Sequence, residues 1–181
     1  MITYPVVIHH LFTSAGHAYF GNSTSEPGPH AMTSHPSVFL EVGKGIPGDR
    51  FYNRKPDYSG QVTLFSMEVY HELLVHLKLT DRSPEFFRRN VLISGVPLNE
   101  LIGLEFEING IRLSGSGHCT PCRWMDDGFA PGAWTFLKGR GGLRCRILSS
   151  GYLSTGPANL ISPVHLNLNQ VTDPIEGPSL P

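Results

Sequence analysis

Apolar positions along this chain gather in short runs of β-branched and aromatic residues, broken by glycine, proline and polar turns, a pattern that predicts strands more than helices. Ile2–Phe12, with Val6, Val7 and Ile8 at its centre, reads as the first strand. Val38–Val42, Gln61–Phe65, Val91–Ile93 and Leu143–Leu148 read as others. Between Leu104 and Gly115 a strict alternation surrounds Asn109-Gly110, the dipeptide that favours a two-residue type I′ hairpin. That turn pairs Phe106 with Leu113 and Ile108 with Ile111 on one face. On the other it sets Glu107 opposite Arg112 as a modest cross-strand ion pair. In the Leu143–Leu148 strand Leu143, Cys145 and Ile147 share one face and Arg144 and Arg146 the other, which makes Cys145 a core residue.

Helical spacing occurs convincingly once, in Val69, Tyr70, Leu73, Leu74 and Leu77. Ser66 is positioned to cap that helix and Glu68 lies in its first turn, so a packing helix is predicted near 67–78. Ser83-Pro84-Glu85 opens a second, short one that ends in Phe86-Phe87-Arg88-Arg89-Asn90. A polar stretch from Asn22 to Ser37 holds Pro27, Pro29 and Pro36, and loops of that length are either functional or disordered. His17, just before that stretch, and His30 within it are candidate site residues, although surface roles are commoner among nine histidines. From Pro157 the chain is proline-rich and poor in aromatics. The expected organisation is one domain over 1–156 and an extended or partly disordered tail over 157–181.

Composition sharpens this picture. Only 16% of the 181 residues are charged, whereas Gly and Pro number 20 and 15, which suits short strands and turns. A net charge of −1 gives no bulk electrostatic reason to expect nucleic acid or a membrane surface as partner. No apolar run approaches the ~20 residues of a spanning helix. Three cysteines, an odd count, and an opening Met-Ile-Thr-Tyr-Pro without a basic or apolar leader read as a reduced, cytoplasmic protein.

The densest chemistry is in Cys119-Thr120-Pro121-Cys122-Arg123. A thiolate is both a soft metal ligand and a strong nucleophile, and Arg123 could favour it by charge. The bland alternative is two buried thiols acting as small apolar residues. A thioredoxin-type pair is disfavoured because no long helix follows Cys122. A structural zinc site is weak, since His118, Cys119 and Cys122 supply three ligands and no second paired motif exists. Upstream, Gly43-Lys44-Gly45-Ile46-Pro47-Gly48-Asp49-Arg50 allows backbone N–H groups close to an anion, with Lys44 and Arg50 as cations, or is simply a turn with solvated charges. Arg88, Arg89 and Asn90 offer guanidinium forks and an amide suited to phosphate or carboxylate.

Taken in order, Gly45-Ile46-Pro47-Gly48-Asp49-Arg50, Arg88-Arg89-Asn90-Val91, Cys119-Thr120-Pro121-Cys122 and Gly141-Gly142-Leu143-Arg144 resemble the stand-alone MOSC domains. These are relatives of the C-terminal domain of molybdenum cofactor sulfurases. The resemblance spans about residues 2–156. It departs at Gly16-His17-Ala18-Tyr19, where the nearest subfamily reads Gly-His-Asn-Tyr, and at Gly156-Pro157, where it reads Gly-Asp. The resemblance implies a mainly β, closed barrel-like MOSC fold with a few short helices and a role linked to the molybdenum cofactor (molybdopterin). By that resemblance Cys122 matches the metal-binding thiol of the family's reductases, while Arg50, Arg88 and Asn90 match cofactor contacts. Lys44, Thr120 and Arg144, in or beside the same motifs, join them as expected cofactor-binding residues, and Cys119 joins Cys122 as a candidate catalytic thiol.

Three functional expectations remain open at this point. One is an oxidoreductase in which Cys122 ligates molybdenum, an electron-donor protein serves it, and the substrate is a small oxygenated or N-hydroxylated molecule. Another is a sulfur carrier, supplied by a sulfur-donor protein, with a persulfide on Cys122 or Cys119. The last is a binding domain without chemistry.

Overall fold

The computed structural model describes residues 1–19 and 28–175. The first part of the expected polar loop, including Pro27, and the last six residues of the expected tail therefore lie outside the described residues. Ten strands and three α-helices succeed one another along the described chain. They are β1 (Ile2–Thr13), β2 (Thr33–His35), β3 (Ser37–Leu40), β4 (Val62–Ser66), α1 (Met67–Leu77), β5 (Val91–Ser94), β6 (Glu105–Ile108), β7 (Ile111–His118), α2 (Trp124–Gly128), α3 (Ala133–Leu137), β8 (Leu143–Ile147), β9 (Gly151–Ser154) and β10 (Gly156–Ser162).

Seven of the strands form a closed barrel in the order β10-β6-β7-β8-β4-β5-β1, sealed by antiparallel pairing of β1 with β10. β2 extends the β1 edge, and β3 with β9 makes a separate two-stranded ribbon. Inside, alternate residues from each strand interlock: Tyr4, Val6 and Ile8 from β1, Val62 and Leu64 from β4, Leu143, Cys145 and Ile147 from β8. Cys145 is fully buried, as its alternation predicts. The Asn109-Gly110 turn forms as expected, both residues at positive φ (47° and 84°), with Phe106 opposite Leu113 and Ile108 opposite Ile111. Glu107 and Arg112 do face each other, but the ion pairs among the described residues are elsewhere, at Lys44–Glu41, Arg50–Asp49 and Arg146–Asp57. Surface pairs gain little over solvation, so that difference changes nothing in the pairing.

β4 and β5 run parallel, which requires a crossover, and α1 with a 3₁₀ turn at Pro84–Phe87 supplies it. Every residue of β4 is buried, because its second face lies under a second core. That core joins Phe65 and Leu92 from the barrel's outer face to Leu73 of α1, Phe87, Phe129 and Leu137. Ser66 caps α1 by accepting from the Val69 amide, as the sequence predicts, and Lys78 ends it in the left-handed conformation. A bulge in β1 between Ile8 and His10 shifts the register, so that Leu11 faces the barrel interior while Phe12 joins the outer core.

The tail differs from expectation. β10, with Ala158, Leu160 and Ser162 buried, is a barrel strand that pairs with both β1 and β6. Beyond it Leu166 is fully buried and its amide donates to the Tyr4 hydroxyl, while the Ile175 amide donates to the Gly139 carbonyl. Proline content misled because Pro157 sits next to the strand start, a position that strands tolerate. No helix among the described residues is long and apolar enough to cross a membrane.

Candidate functional site

At one end of the barrel, three segments far apart in sequence line a single cavity of about 160 Å³: His17 to Tyr19, Arg50 with Phe51, and Phe86 to Arg89. The thiol loop at Thr120 to Cys122 and the side chains of Trp124 and Met125 close it. Cations and aromatic rings dominate the lining, and none of these residues is a carboxylate. A larger cleft of about 370 Å³ lies across β1 and β10, but residues such as Pro5, Val7, Ser94 and Asn159 line it without a charged side chain or a thiol.

Asp49 organises the cationic wall. It is buried, and its carboxylate accepts from the amides of Ser14 and Phe51 and from the Asn90 side chain at 3.1–3.2 Å. Arg50 comes immediately after it, its side chain only 7% exposed. Arg50 Nη2 donates to the Arg88 carbonyl at 2.9 Å, while Nη1 stands 3.6 Å from Asp49 Oδ2 and has no hydrogen-bond partner among the described residues. Burial, aided by the charges of Arg88 and Arg89 and opposed by Asp49, brings the Arg50 pKa down to about 10. The group remains a cation at neutral pH, but one short of acceptors.

Arg88 and Arg89 do different work. Arg88 turns its guanidinium to the loop opposite, donating to the carbonyls of His30 and Gly16 and to Ser14 Oγ at 2.8–2.9 Å. It thereby fixes the wall that carries His17 and Tyr19. Arg89 Nε donates to the Gly141 carbonyl at 3.0 Å and Nη1 to the Phe87 carbonyl at 2.9 Å. Arg89, which is not among the cofactor contacts that the motif implies, lines the cavity; Asn90, which is among them, does not. Asn90 is 2% exposed. Its Nδ2 donates to the Phe12 carbonyl and Asp49, and its Oδ1 accepts from the Thr63 amide and hydroxyl. It ties β1 and β4 to Asp49 from below. Asn90→Ala should strand several of these groups and cost about 2–3 kcal/mol, checked as a drop in the urea midpoint at unchanged m-value.

The other expected residues are spread more widely. Cys122 is exposed on the cavity wall beside Thr120, whereas Cys119 is 3% exposed beneath the loop. Pro121 is buried between them. Lys44 pairs with Glu41 at 2.6 Å on the surface and does not line the cavity. Arg144 is an exposed residue of β8, outside the lining, whose charge acts on His118. Arg123 lays its guanidinium over the Trp134 ring at 5.3 Å. His17 lines the cavity, packed edge-on to Phe51 at 5.3 Å. His30 lines instead an adjoining cavity of about 240 Å³ that shares Ala18, Tyr19, Phe86 and Arg88 with the first. The aromatic lining, Tyr19 stacked on Trp124 at 3.6 Å in particular, is not foreseen from the sequence. Isolated aromatics in loops or at the start of a five-residue helix carry no periodic signal.

Three histidines sit below their ordinary value of 6.5. Burial is the main cause for each; His9 adds to it at His10, Arg50, Arg54 and Arg88 at His17, and Arg89 and Arg144 at His118. The unfolded chain therefore binds more protons than the folded one just below pH 6.5, so stability rises with pH there. Urea unfolding should show stability level above about pH 7 and falling as pH drops from 6.5 towards 5. An unchanged stability across that window would contradict the neutral, partly buried state of these rings.

The MOSC domain profile matches residues 44–158. No curated protein matches the sequence. Among solved structures, the YuaD protein from Bacillus subtilis superimposes with a TM-score of 0.67 at 20% identity, covering 91% of this chain and 99% of that one. YiiM from Escherichia coli gives 0.59 at 15% identity, over 95% and 76% of the two chains. YiiM from Geobacillus stearothermophilus gives 0.62 at 13%, over 92% and 82%. Identities this low speak to the fold, whereas the profile covers more than half of the chain and all four motifs. The chain belongs to the MOSC domain family.

Proposed function

We propose that the cavity beside Cys122 holds a molybdenum cofactor of the pterin class, that the Cys122 thiolate is its protein ligand, and that the protein is an oxidoreductase. MOSC domains form a family related to this cofactor. The observation that carries the reading is Arg50: a buried cation beside Arg88 and Arg89, with an N–H lacking an acceptor among the described residues. A phosphate or an anionic pterin supplies both the acceptor and the counter-charge. The rings of Tyr19, Phe51 and Trp124 give the cavity aromatic walls that suit a flat heterocycle.

The donor set fits as well. No group of three or more His, Cys, Asp or Glu among the described residues could hold a bare ion. A metal here arrives already chelated, and the protein adds one exposed thiolate. About 160 Å³ is small against the ~300–1,000 Å³ of most ligand sites. The adjoining cavity across Tyr19 brings the space within that range, with Tyr19 as the side chain that yields.

In this reading Arg50, Arg89 and Thr120 orient the anionic cofactor, Arg88 holds the wall loop against it, and Asn90 braces Asp49. Bound there, the cofactor supplies a two-electron redox centre open to a small oxygenated or N-hydroxylated substrate. A partner protein supplies the electrons. A working free thiol at Cys122 also fits a reducing, cytoplasmic setting.

The test is the metal content and oxidised-pterin fluorescence of protein purified from a host that makes the cofactor. Near-stoichiometric molybdenum and pterin support the reading. Cyanide-releasable sulfur on Cys122 without molybdenum transfers it to a sulfur carrier. Absence of both leaves a binding domain.

A further inference from the structure

One dipeptide joins the cationic wall to the thiol loop. Gly141 receives the Arg89 Nε–H on its carbonyl at 3.0 Å, and its own amide donates to His118 Nε2 at 3.0 Å. A Cβ on Gly141 would stand 1.9 Å from the Cys119 carbonyl oxygen, so the two backbones are in direct contact. The Cys119 amide closes the unit by donating to the Gly142 carbonyl at 2.8 Å. His118 ends β7 immediately before the loop that carries Cys122. For Nε2 to accept, the ring must be neutral with its proton on Nδ1.

We infer that His118 is a positioning residue: as a neutral acceptor for the Gly141 amide it locks residues 119–122 in register with Arg89, so that the thiol and the anion-binding arm are held as one piece. The inference rests on the reading of Cys122 as the working thiol. Protonation would turn Nε2 into a donor facing another donor and open the lock. The charged groups facing the ring are both cations, Arg89 from the segment before β5 and Arg144 from β8, with the buried Cys119 beside it, and burial together with those charges keeps the ring neutral. Nothing among the described residues that faces the ring favours its protonated form.

The experiment follows alkylation of Cys122 by iodoacetamide, located by peptide mass, from pH 5 to 8 in wild type, His118→Gln and His118→Ala, each checked for cooperative unfolding. Gln offers a carbonyl acceptor near the Nε2 position and does not titrate. After correction for thiol ionisation, wild type should show a several-fold change in rate below pH 6.5. His118→Gln should keep the wild-type rate at pH 7.5 and lose that acid change. His118→Ala should differ from wild type by several-fold even at pH 7.5. Should the Ala variant fail to fold, the Gln variant alone decides. An acid change that persists in His118→Gln, or an Ala variant that matches wild type throughout, overturns the inference. The readout needs no cofactor. Protein purified without molybdenum or pterin from a host that makes the cofactor, yet showing the His118-dependent change, would sink the proposed function and leave the lock standing.

Discussion

Cys122→Ser is expected to abolish molybdenum retention, or persulfide formation if that is the chemistry, while leaving the fold intact. Cys122 is exposed and contributes only its backbone carbonyl to the turn that starts α2, so the substitution should change stability by no more than ~0.5 kcal/mol. Cys119 and Cys145 are less accessible from the cavity than Cys122. Both are buried, and burial pushes the Cys145 thiol well above its ordinary range. Cys119→Ser, by contrast, buries a hydroxyl where the thiol makes no hydrogen bond among the described residues, and should cost about 1–3 kcal/mol with only partial loss of cofactor. Metal analysis and thermal unfolding of the two variants side by side separate these outcomes. If the Cys122 variant keeps its molybdenum and the Cys119 variant does not, the ligand assignment moves to Cys119.

Gly141→Ala should be strongly damaging to the site. The new methyl meets a backbone oxygen at 1.9 Å rather than the end of a flexible side chain, so either the thiol loop or the Arg89 contact must move. Overpacking in rigid surroundings costs about 1–3 kcal/mol, and the lost hydrogen bonds to His118 and Arg89 add to it, for a loss of roughly 2–4 kcal/mol. For a domain of this size that lowers Tm by roughly 5–15 °C. Cofactor content should fall further than stability alone accounts for, because the displaced loop carries Cys122. Should the variant unfold within about 1 kcal/mol of wild type and keep its cofactor, the loop is more compliant than its contacts imply.

Local rules carried much of the fold. Period-two alternation and Asn109-Gly110 were sufficient for β6, β7 and β8, since a pleated strand leaves a side chain no choice of face once its neighbour's is set. Ser66 and Glu68 gave the start of α1 for a similarly local reason: a cap needs only its own first turn. Pro157, by contrast, argued for a tail, whereas closure of the barrel by β10 depends on partners over a hundred residues earlier in β1.

At the site, residue type was legible and residue role was not. Local motifs were enough to pick out the thiol loop, the glycine-rich segment and the arginines, because each is a compact arrangement of reactive groups along the chain. Alternation was likewise enough to make Cys145 core. Packing between distant segments put Arg89 against the cavity and Asn90 beneath it, since Arg88 takes a positive φ (53°) at the end of the 3₁₀ turn and re-aims the residues after it. The same packing left Lys44 and Arg144 outside and brought in the rings of Tyr19, Phe51 and Trp124. Those outcomes depend on how remote stretches meet at the barrel end, and the direction of a side chain in an irregular loop is set by the neighbours it packs against rather than by its own sequence.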